Sequence, residues 1–369
     1  MITSKIRPAN SFGWDELREL TAFGMIAQRD GAPLSGYLAG KSRGGKQVIA
    51  LEEAWSDCFA VKHSIAVNSA TSGLLAAAFA CDLKTEDMFA CPAMTMSATA
   101  AAPCFTGARP VFCDVNDTDF SIICAAGKAT FVTNLFGHPA SLGALRSACD
   151  AVGTYLIEDN AQSPFAMEGK RFAGTIGHIG VFSFNIHKPF QCGEGGIIVT
   201  NDDDLAGRMR AFINHGENVA ENIGLNLRMP ELCAVVALTQ LQRAPSIVRR
   251  RIGQAEAILE AIGFIPGLRP PVTRAECRHV YYTIPFLIDR SRAQFCGVLA
   301  ANGVPVVDRY VAPLYELPAF RKYKTDCPVA EDLYNKRLFY IENCAWDFTA
   351  LQIKQIGEAF KRAAEKVKL

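Results

Sequence analysis

Lys188 stands in a polar turn between two apolar runs. Val181-Phe182-Ser183-Phe184 precedes it and Gly196-Ile197-Ile198-Val199-Thr200 follows. The stretch between reads Asn185-Ile186-His187-Lys188-Pro189-Phe190-Gln191-Cys192-Gly193-Glu194-Gly195. An amine held at such a turn can form a Schiff base with a carbonyl, supplied by pyridoxal phosphate (PLP) or by a substrate. A solvated lysine on a hairpin is the ordinary alternative.

Two upstream pieces weigh against that alternative. Thr154-Tyr155-Leu156-Ile157 is a short apolar strand, followed at its carboxyl end by Glu158-Asp159-Asn160-Ala161-Gln162. Ligand groups gather outside the carboxyl ends of strands in open α/β sheets. An acid there, Asp159, could keep a pyridine nitrogen protonated so that the ring drains electrons from a substrate carbon. An isolated Asp after a strand would otherwise be a helix cap. Further upstream, Ser64-Ile65-Ala66-Val67-Asn68 reads as a strand. Ser69-Ala70-Thr71-Ser72-Gly73 then opens the helical run Leu74-Leu75-Ala76-Ala77-Ala78-Phe79-Ala80. Small hydroxyl residues at a helix mouth, with unpaired N–H groups and the helix dipole, suit a phosphate. Anion cup, acid and lysine follow one another in a single chain, and separate explanations for the three are strained.

These segments resemble the DegT/DnrJ/EryC1/StrS family, the sugar aminotransferase branch of the fold-type I PLP enzymes. The resemblance is close over roughly residues 30–250 and looser beyond. It rests on Asn68–Gly73, on Gly107-Ala108-Arg109-Pro110-Val111-Phe112-Cys113-Asp114-Val115 and on Glu158–Gln162. It continues through Gly177-His178-Ile179-Gly180-Val181-Phe182-Ser183-Phe184, then Lys188 with Gly193-Glu194-Gly195-Gly196. Gly224-Leu225-Asn226-Leu227-Arg228-Met229-Pro230-Glu231 is the last match. Order and spacing make the match specific, where no single stretch would.

The resemblance implies roles position by position. Lys188 would be the Schiff-base lysine and proton carrier, and Asp159 the partner of the pyridine nitrogen. Gln162 would lie by the ring's phenolic oxygen. Thr71, Ser72 and Ser183 would hold the phosphate, and Asn226 would reach it from the partner subunit of a homodimer with shared sites. Relatives that carry histidine in place of the lysine are dehydratases, so Lys188 favours transamination, with His187 merely its neighbour. Related enzymes place an aromatic residue over the ring within a stretch like Cys91-Pro92-Ala93-Met94-Thr95-Met96-Ser97-Ala98-Thr99. Here Met96 stands at that position, and a thioether can also lie on a ring. His215, in His215-Gly216-Glu217-Asn218, and Tyr310 and Tyr315, in the loop Asp308–Tyr315, are placed on the substrate side by the same resemblance.

The implied activity is transfer of an amino group from an amino acid, glutamate or glutamine, to a keto-sugar that is nucleotide-linked. Pyridoxamine phosphate (PMP) would be the intermediate form of the cofactor. Enzymes for small keto acids need an arginine clamp for each carboxylate. The segments nearest the expected cofactor hold two arginines. Arg109 precedes a strand at the end away from the ligand side, which leaves Arg228 for a donor's carboxylate. The acceptor would then be held by hydrogen bonds to hydroxyls. Competing readings are a PLP-dependent sugar dehydratase, an aminotransferase for a keto-cyclitol, and a non-catalytic sensor that binds PLP or sugar as a ligand. Lys188, Asp159 and Gln162 together oppose the sensor, since a binder needs no electron sink.

Composition bounds the rest. The chain has 369 residues with 50% hydrophobic and 20% charged content, enough for a large core and two domains. Net charge is +1, with 38 basic and 37 acidic residues. Without a basic tract, nucleic acid and membrane surfaces have no electrostatic support as partners. Arg249-Arg250-Arg251 is the densest basic run and reads as a solvated helix face. No stretch approaches the ~20 apolar residues of a membrane span. Met1-Ile2-Thr3-Ser4-Lys5 lacks the apolar core of a signal peptide, which points to the cytoplasm. Thirteen scattered cysteines, with no C-x-x-C pair and no zinc spacing, read as small buried hydrophobes in a reducing compartment. No metal site is expected. Cys192, beside the glycine turn after Lys188, is assigned to packing as well.

The elements that must position these groups follow from periodicity. Residues 1–30 are expected to be helical and peripheral, and Gly31–Gly45 to form a loop near the substrate. From about residue 46 to 240, strands alternate with helices: Ser64–Asn68, Met88–Cys91, Val111–Asp114, Thr130–Asn134, Thr154–Ile157, Val181–Phe184 and Ile197–Thr200. Seven such strands argue an α/β fold, a mainly parallel sheet covered on both faces. Pro230–Ala244 reads as a helix that Pro245 breaks or kinks. The expected division is a large PLP-binding domain, 1–245, and a smaller α/β C-terminal domain, 246–369. The latter has strands at His279–Ile288 and Pro305–Val307 and an amphipathic last helix, Thr349–Val367.

Overall fold

A computed structural model of the chain describes residues 2, 6–9, 12–30, 44–216 and 223–369. Most of the expected Gly31–Gly45 loop, and Glu217 and Asn218, lie outside the described residues.

All seven expected strands form, within two residues of their expected bounds. They are β1 (His63–Val67), β2 (Met88–Pro92), β3 (Arg109–Cys113), β4 (Ala129–Thr133), β5 (Tyr155–Asp159), β6 (Ile179–Ser183) and β7 (Gly196–Thr200). They make one sheet in the order β1-β7-β6-β5-β4-β2-β3. β7 alone runs antiparallel to its neighbours β1 and β6, and the other pairings are parallel. Helices cover both faces, so central strands such as β4 and β6 are buried along their whole length. This is why they read as apolar runs rather than as alternating patterns.

The covering helices include α1 (Trp14–Asp30), α2 (Lys46–Phe59), α3 (Ala70–Ala80), α4 (Ser97–Cys104), α5 (Leu142–Ala151), α6 (Asp203–Ile213) and α7 (Glu231–Ile262). Two cores flank the sheet. Ile157 of β5 packs on one side and Leu156 on the other, as strand alternation requires.

A four-stranded sheet follows, of β8 (Leu268–Arg269), β9 (Thr283–Ile288), β10 (Val306–Val307) and β11 (Leu338–Glu342), in the order β8-β9-β11-β10. The C-terminal helix Ala350–Val367 packs on it and opens with a capping box between Thr349 and Gln352. α7 joins the two layers. Ala234, Ala237, Leu241, Ala244, Ile247 and Val248 serve a core of the large sheet, and Ala255, Ile258 and Ile262 serve that of the small one.

Three expectations are corrected here. Pro245 does not end its helix. α7 runs 32 residues through it, with the ring on the exposed face, where water can take the carbonyl left without a donor. The N-terminal segment is not only helical. Arg7–Pro8 pairs with Trp346–Asp347, so the chain start lies along its far end. Cys113 and Cys124 are joined as a disulfide, while the other cysteines are free. An antiparallel return after β3, through the pair Val115 and Ile122, brings them opposite each other. Cysteine spacing alone could not reveal that register. Among the described residues, no helix is long and apolar enough to cross a membrane.

Candidate active site

The carboxyl ends of β1, β6 and β5, which run in one direction, lie along one sheet edge, with the start of antiparallel β7 between β1 and β6. Gly196, at the start of β7, pairs with Val67 on one side and Ser183 on the other, and Asp159 pairs with Val181. The chain leaving β1 at Asn68, Asp159 at the end of β5 and Ser183 at the end of β6 therefore share one sheet edge.

α3 begins at this edge. Ser69 is its N-cap, and its Oγ accepts from the Ser72 amide at 3.1 Å. Ser72 Oγ lies 3.0 Å from Ser69 Oγ and donates to Asn68 Oδ1 at 2.6 Å. Thr71 is exposed and Ser72 half-buried. The amides of the first helical turn have no partner within the helix and carry its positive end. β7 passes close beneath. A Cβ on Gly196 would stand 2.7 Å from the Ala70 nitrogen and 2.8 Å from the Ser69 carbonyl carbon. Only glycine permits this approach. Ser183 is buried, and its Oγ accepts from the Asn185 amide at 3.3 Å.

Lys188 sits on the loop that joins β6 to β7. The loop is closed on itself: Ile186 N donates to Gly193 O at 3.0 Å and Cys192 N to Phe184 O at 2.9 Å. Asn185 Nδ2 donates to Glu194 Oε1 at 2.8 Å, and Lys188 N to Asn185 O at 2.8 Å. The Lys188 ammonium lies 4.7 Å from the centre of the Tyr282 ring. Burial holds its pKa below the usual lysine range, against the opposing pull of Asp159 and Cys344.

Asp159 is buried. Its Oδ2 accepts from Thr99 Oγ1 at 2.7 Å and its Oδ1 from the Ala161 amide at 3.2 Å. Burial pushes its carboxyl up, while these two donors and Lys188 hold it down. Its neighbour Glu158 points to the other face and does different work. It accepts from the amides of Gly174, Ile176 and Gly177 at 2.5–2.8 Å and so pins the turn before β6.

Above these groups opens a cavity of about 570 Å³. Of the residues expected from sequence, Met96, Gln162, His187, Lys188 and Tyr310 line it. Gln162 Oε1 accepts from the Phe136 amide at 2.8 Å, and its Nε2 donates to the Tyr310 hydroxyl at 2.9 Å. This bond ties the large sheet to the connection between β10 and β11 of the small one. Burial raises the Tyr310 phenol, against the Gln162 hydrogen bond. Met96, the N-cap residue of α4, is 52% exposed at the rim.

The remaining expected residues do not line the cavity of their own chain. Asn226 is exposed and pairs with Asn214, and Arg228 donates to Asn214 Oδ1 at 2.6 Å. Leu227 O accepts from the Asn68 amide at 2.8 Å, so this strip runs beside the anion cup. His215 is exposed, in the left-handed region at φ 62°. Tyr315 is buried and bonds Glu331, away from the cavity.

Sequence reasoning missed Thr99, Tyr282, Tyr340 and Arg250, the last three all lining the cavity. The Arg249–Arg251 run is not one solvated face. Arg251 is buried, donating to Asn343 O at 2.9 Å and Trp346 O at 2.8 Å, while Arg250 turns to the cavity and lies 3.6 Å from Asp347. Helical spacing separates adjacent residues by about 100°, and that signal was available. Tyr340 lies on β11 of the second sheet and Tyr282 immediately before β9, and nothing local marks them.

An amine, a buried carboxylate at the same sheet edge and a helix mouth approached so closely that β7 must carry glycine make one donor set. It suits a ring with a carbonyl at one side, a basic nitrogen and a phosphate tail, which is the chemistry of PLP.

Comparison with known proteins agrees. Residues 37–360 match the DegT/DnrJ/EryC1/StrS aminotransferase family. The spore coat polysaccharide biosynthesis protein SpsC of Bacillus subtilis (strain 168) is 27% identical, over 80% of this chain and 84% of that protein. The dTDP-3-amino-3,4,6-trideoxy-alpha-D-glucose transaminase of Streptomyces venezuelae is 30% identical, over 70% and 71%. Among solved structures, an aminotransferase from Psychrobacter cryohalolentis superposes with a TM-score of 0.86 at 25% identity, covering 99% of this chain and 100% of that one.

Proposed function

The chain belongs to the DegT/DnrJ/EryC1/StrS aminotransferase family, and we propose that it is a PLP-dependent enzyme moving an amino group from an amino acid to a nucleotide-linked keto-sugar. The observation that carries this reading is that Lys188 and Gln162 line one cavity at the sheet edge where buried Asp159 ends its strand and the helix-mouth cup opens. The similarity to a dTDP-sugar transaminase supports the acceptor class. Glutamate or glutamine is the proposed donor.

When bound, PLP supplies a carbonyl for the amine and a ring that stabilises negative charge at the substrate carbon. The chain's own residues do the rest. Thr71, Ser72, Ser183 and the first amides of α3 bind the phosphate. Asp159 holds a proton on the ring nitrogen. Gln162, fixed between the Phe136 amide and Tyr310, is placed to meet the ring's oxygen. The Met96 thioether, at the cavity rim, would lie against the ring. Lys188 moves the proton at the substrate carbon. Its lowered pKa leaves a larger share of the amine unprotonated near neutral pH, as a base requires.

The cavity volume, about 570 Å³, leaves room for a sugar with part of its nucleotide. Its lining carries Arg250 rather than Arg228, so Arg250 is the proposed partner for an anionic group of donor or acceptor.

The same reading includes a homodimer in which Asn226 completes the partner's cup. Support comes from exposed apolar side chains near that strip: Ile223 is 90% exposed, Phe105 83% and Leu225 45%. They border a groove of about 1090 Å³, and such surface usually marks an interface.

The reading is tested by adding glutamate or glutamine to the PLP-loaded enzyme. A change in the cofactor's visible band, absent in Lys188→Ala, is expected. A band that no amino acid alters would refute catalysis.

A further inference from the structure

A line of three buried hydroxyls ends on Asp159. Thr133 Oγ1 lies 2.7 Å from Thr95 Oγ1, Thr95 Oγ1 lies 2.9 Å from Thr99 Oγ1, and Thr99 Oγ1 lies 2.7 Å from Asp159 Oδ2. Thr95 and Thr99 have no exposed surface, and Thr133 is 6% exposed. They come from three places: the turn after β2, the first helical turn of α4, and the end of β4. Residues of three elements do not align hydroxyls at such distances by helical or strand periodicity alone.

The direction of the bonds follows from proton counting. A carboxylate accepts and cannot donate, so the Thr99 proton goes to Asp159. Each hydroxyl has one proton. The Thr95–Thr99 contact then needs the Thr95 proton, and the Thr95–Thr133 contact needs the Thr133 proton. All three O–H dipoles point their positive ends toward Asp159, and such chains strengthen one another. The second carboxylate oxygen faces the Ala161 N–H. Each oxygen thus has one donor, which favours the charged form, and keeps a second lone pair for the proton of a ring nitrogen.

We infer that Thr99, backed by Thr95 and Thr133, is a positioning residue that keeps Asp159 ionised and fixed in orientation within a site where burial works against its charge. The inference rests on the proposed role of Asp159 at the cofactor's ring nitrogen. Three other titratable groups feel Asp159: Lys188 from the loop after β6, Cys91 from β2 and Tyr310 from the connection between β10 and β11. Among these, Lys188 alone brings a positive charge, and the work assigned to it makes that charge come and go. The hydroxyl line is constant.

The test uses Thr99→Val, which keeps the shape and removes the donor, in the PLP-loaded enzyme. Three readouts are compared: the rate at which glutamate changes the cofactor band, the pH at which that band shifts, and the PLP dissociation constant. Removing a hydrogen bond to a charged group should slow the band change on the order of ten- to hundredfold. The pH transition should move by about one unit, while PLP affinity changes far less than the rate. Thr99→Ser should restore rate and transition, and Thr95→Val should show a smaller shift in the same direction. If Thr99→Val merely lowers the melting temperature and leaves rate and transition at wild-type values, the inference is wrong. Should Thr99→Val not fold, Thr95→Val decides by the same readouts. Asp159→Asn separates the two layers. If Asp159→Asn is crippled and Thr99→Val is not, the hydroxyl line fails and the role of Asp159 stands. If Asp159→Asn matches wild type, that role itself falls.

Discussion

Gly196→Ala should cost cofactor affinity more than stability. The added Cβ would lie 2.7 Å from the Ala70 nitrogen, 2.8 Å from the Ser69 carbonyl carbon and 2.9 Å from the Phe182 oxygen. Ordinary contacts of this kind sit at about 3.5–4.0 Å, so a gap of roughly 0.7 Å or more must open. All three obstacles are backbone, and none can swing aside as a side chain would. The least constrained of them is the start of α3, because β6 is held on both sides within the sheet. Relief therefore displaces Ser69 and Ala70, which form the proposed phosphate cup. Overpacking of this size costs about 1–3 kcal/mol. If it falls on the cup, PLP binding weakens by about five- to hundredfold. The assay is titration of cofactor-free enzyme with PLP, followed by absorbance, with a melting curve run alongside. Gly253→Ala is the control. A Cβ there meets nothing within 4 Å, so binding should be unchanged and the helix slightly firmer, by about 0.5–1 kcal/mol. A Gly196→Ala enzyme that folds and binds PLP within about twofold of wild type would refute the placement of the cup.

Asp159→Asn keeps the shape of the side chain and removes its charge. Turnover should fall on the order of a hundredfold or more, with a far smaller change in PLP affinity, and kinetics beside a binding titration would separate the two. Mixing inactive Lys188→Ala with an inactivating Asn226 variant should restore part of the activity through hybrid dimers, each with one intact site. No recovery despite demonstrated subunit exchange would put both residues in one subunit's site, or Asn226 outside it. His138 supplies a pH signature. Burial pushes its pKa down to about 4, with Asp119 opposing and Arg274 assisting. Its Nε2 faces the Arg274 amide at 3.1 Å and its Nδ1 the Pro139 carbonyl at 2.7 Å, so the neutral ring fits and a second proton does not. The unfolded chain takes that proton near pH 6.5. Stability should therefore be complete above about pH 6.5 and decline toward pH 4, by up to about 3 kcal/mol from this group. Melting curves of His138→Gln should show a shallower decline over that window, and an unchanged slope would exclude His138 as its source.

The large sheet was legible because each strand is a short apolar run, and because Asp159, Ser183 and the Ser69–Ser72 cup follow strand ends directly. Sequence order places them at one edge once the strands are parallel. The antiparallel β7 was not foreseen. The connection around Lys188 could have shown it, since Pro189, Gly193 and Gly195 leave no stretch for the crossover helix that a parallel link usually carries. The small sheet was only partly legible: β9 and β10 were expected, while the two-residue β8 and the central β11 were not. Of the tyrosines that line the cavity from that side, Tyr310 was named from the sequence and Tyr282 and Tyr340 were not. Tyr340 reaches it from β11 and Tyr282 from just before β9, while Tyr310, the one named from the sequence, is held by its bond to Gln162. Thr99 was quoted within a recognisable stretch yet not assigned. Its tie to Asp159 depends on where α4 starts relative to β5, which no local pattern encodes.

The central claim is the acceptor. Enzyme loaded with PMP would be mixed with a panel of nucleotide-linked keto-hexoses and, in parallel, with pyruvate and oxaloacetate, and the return of the visible PLP band timed. The account predicts that at least one nucleotide-linked keto-hexose restores the band much faster than either small keto acid. If the small keto acids are faster and no keto-sugar competes, the sugar assignment is contradicted, although the PLP chemistry at Lys188 would stand.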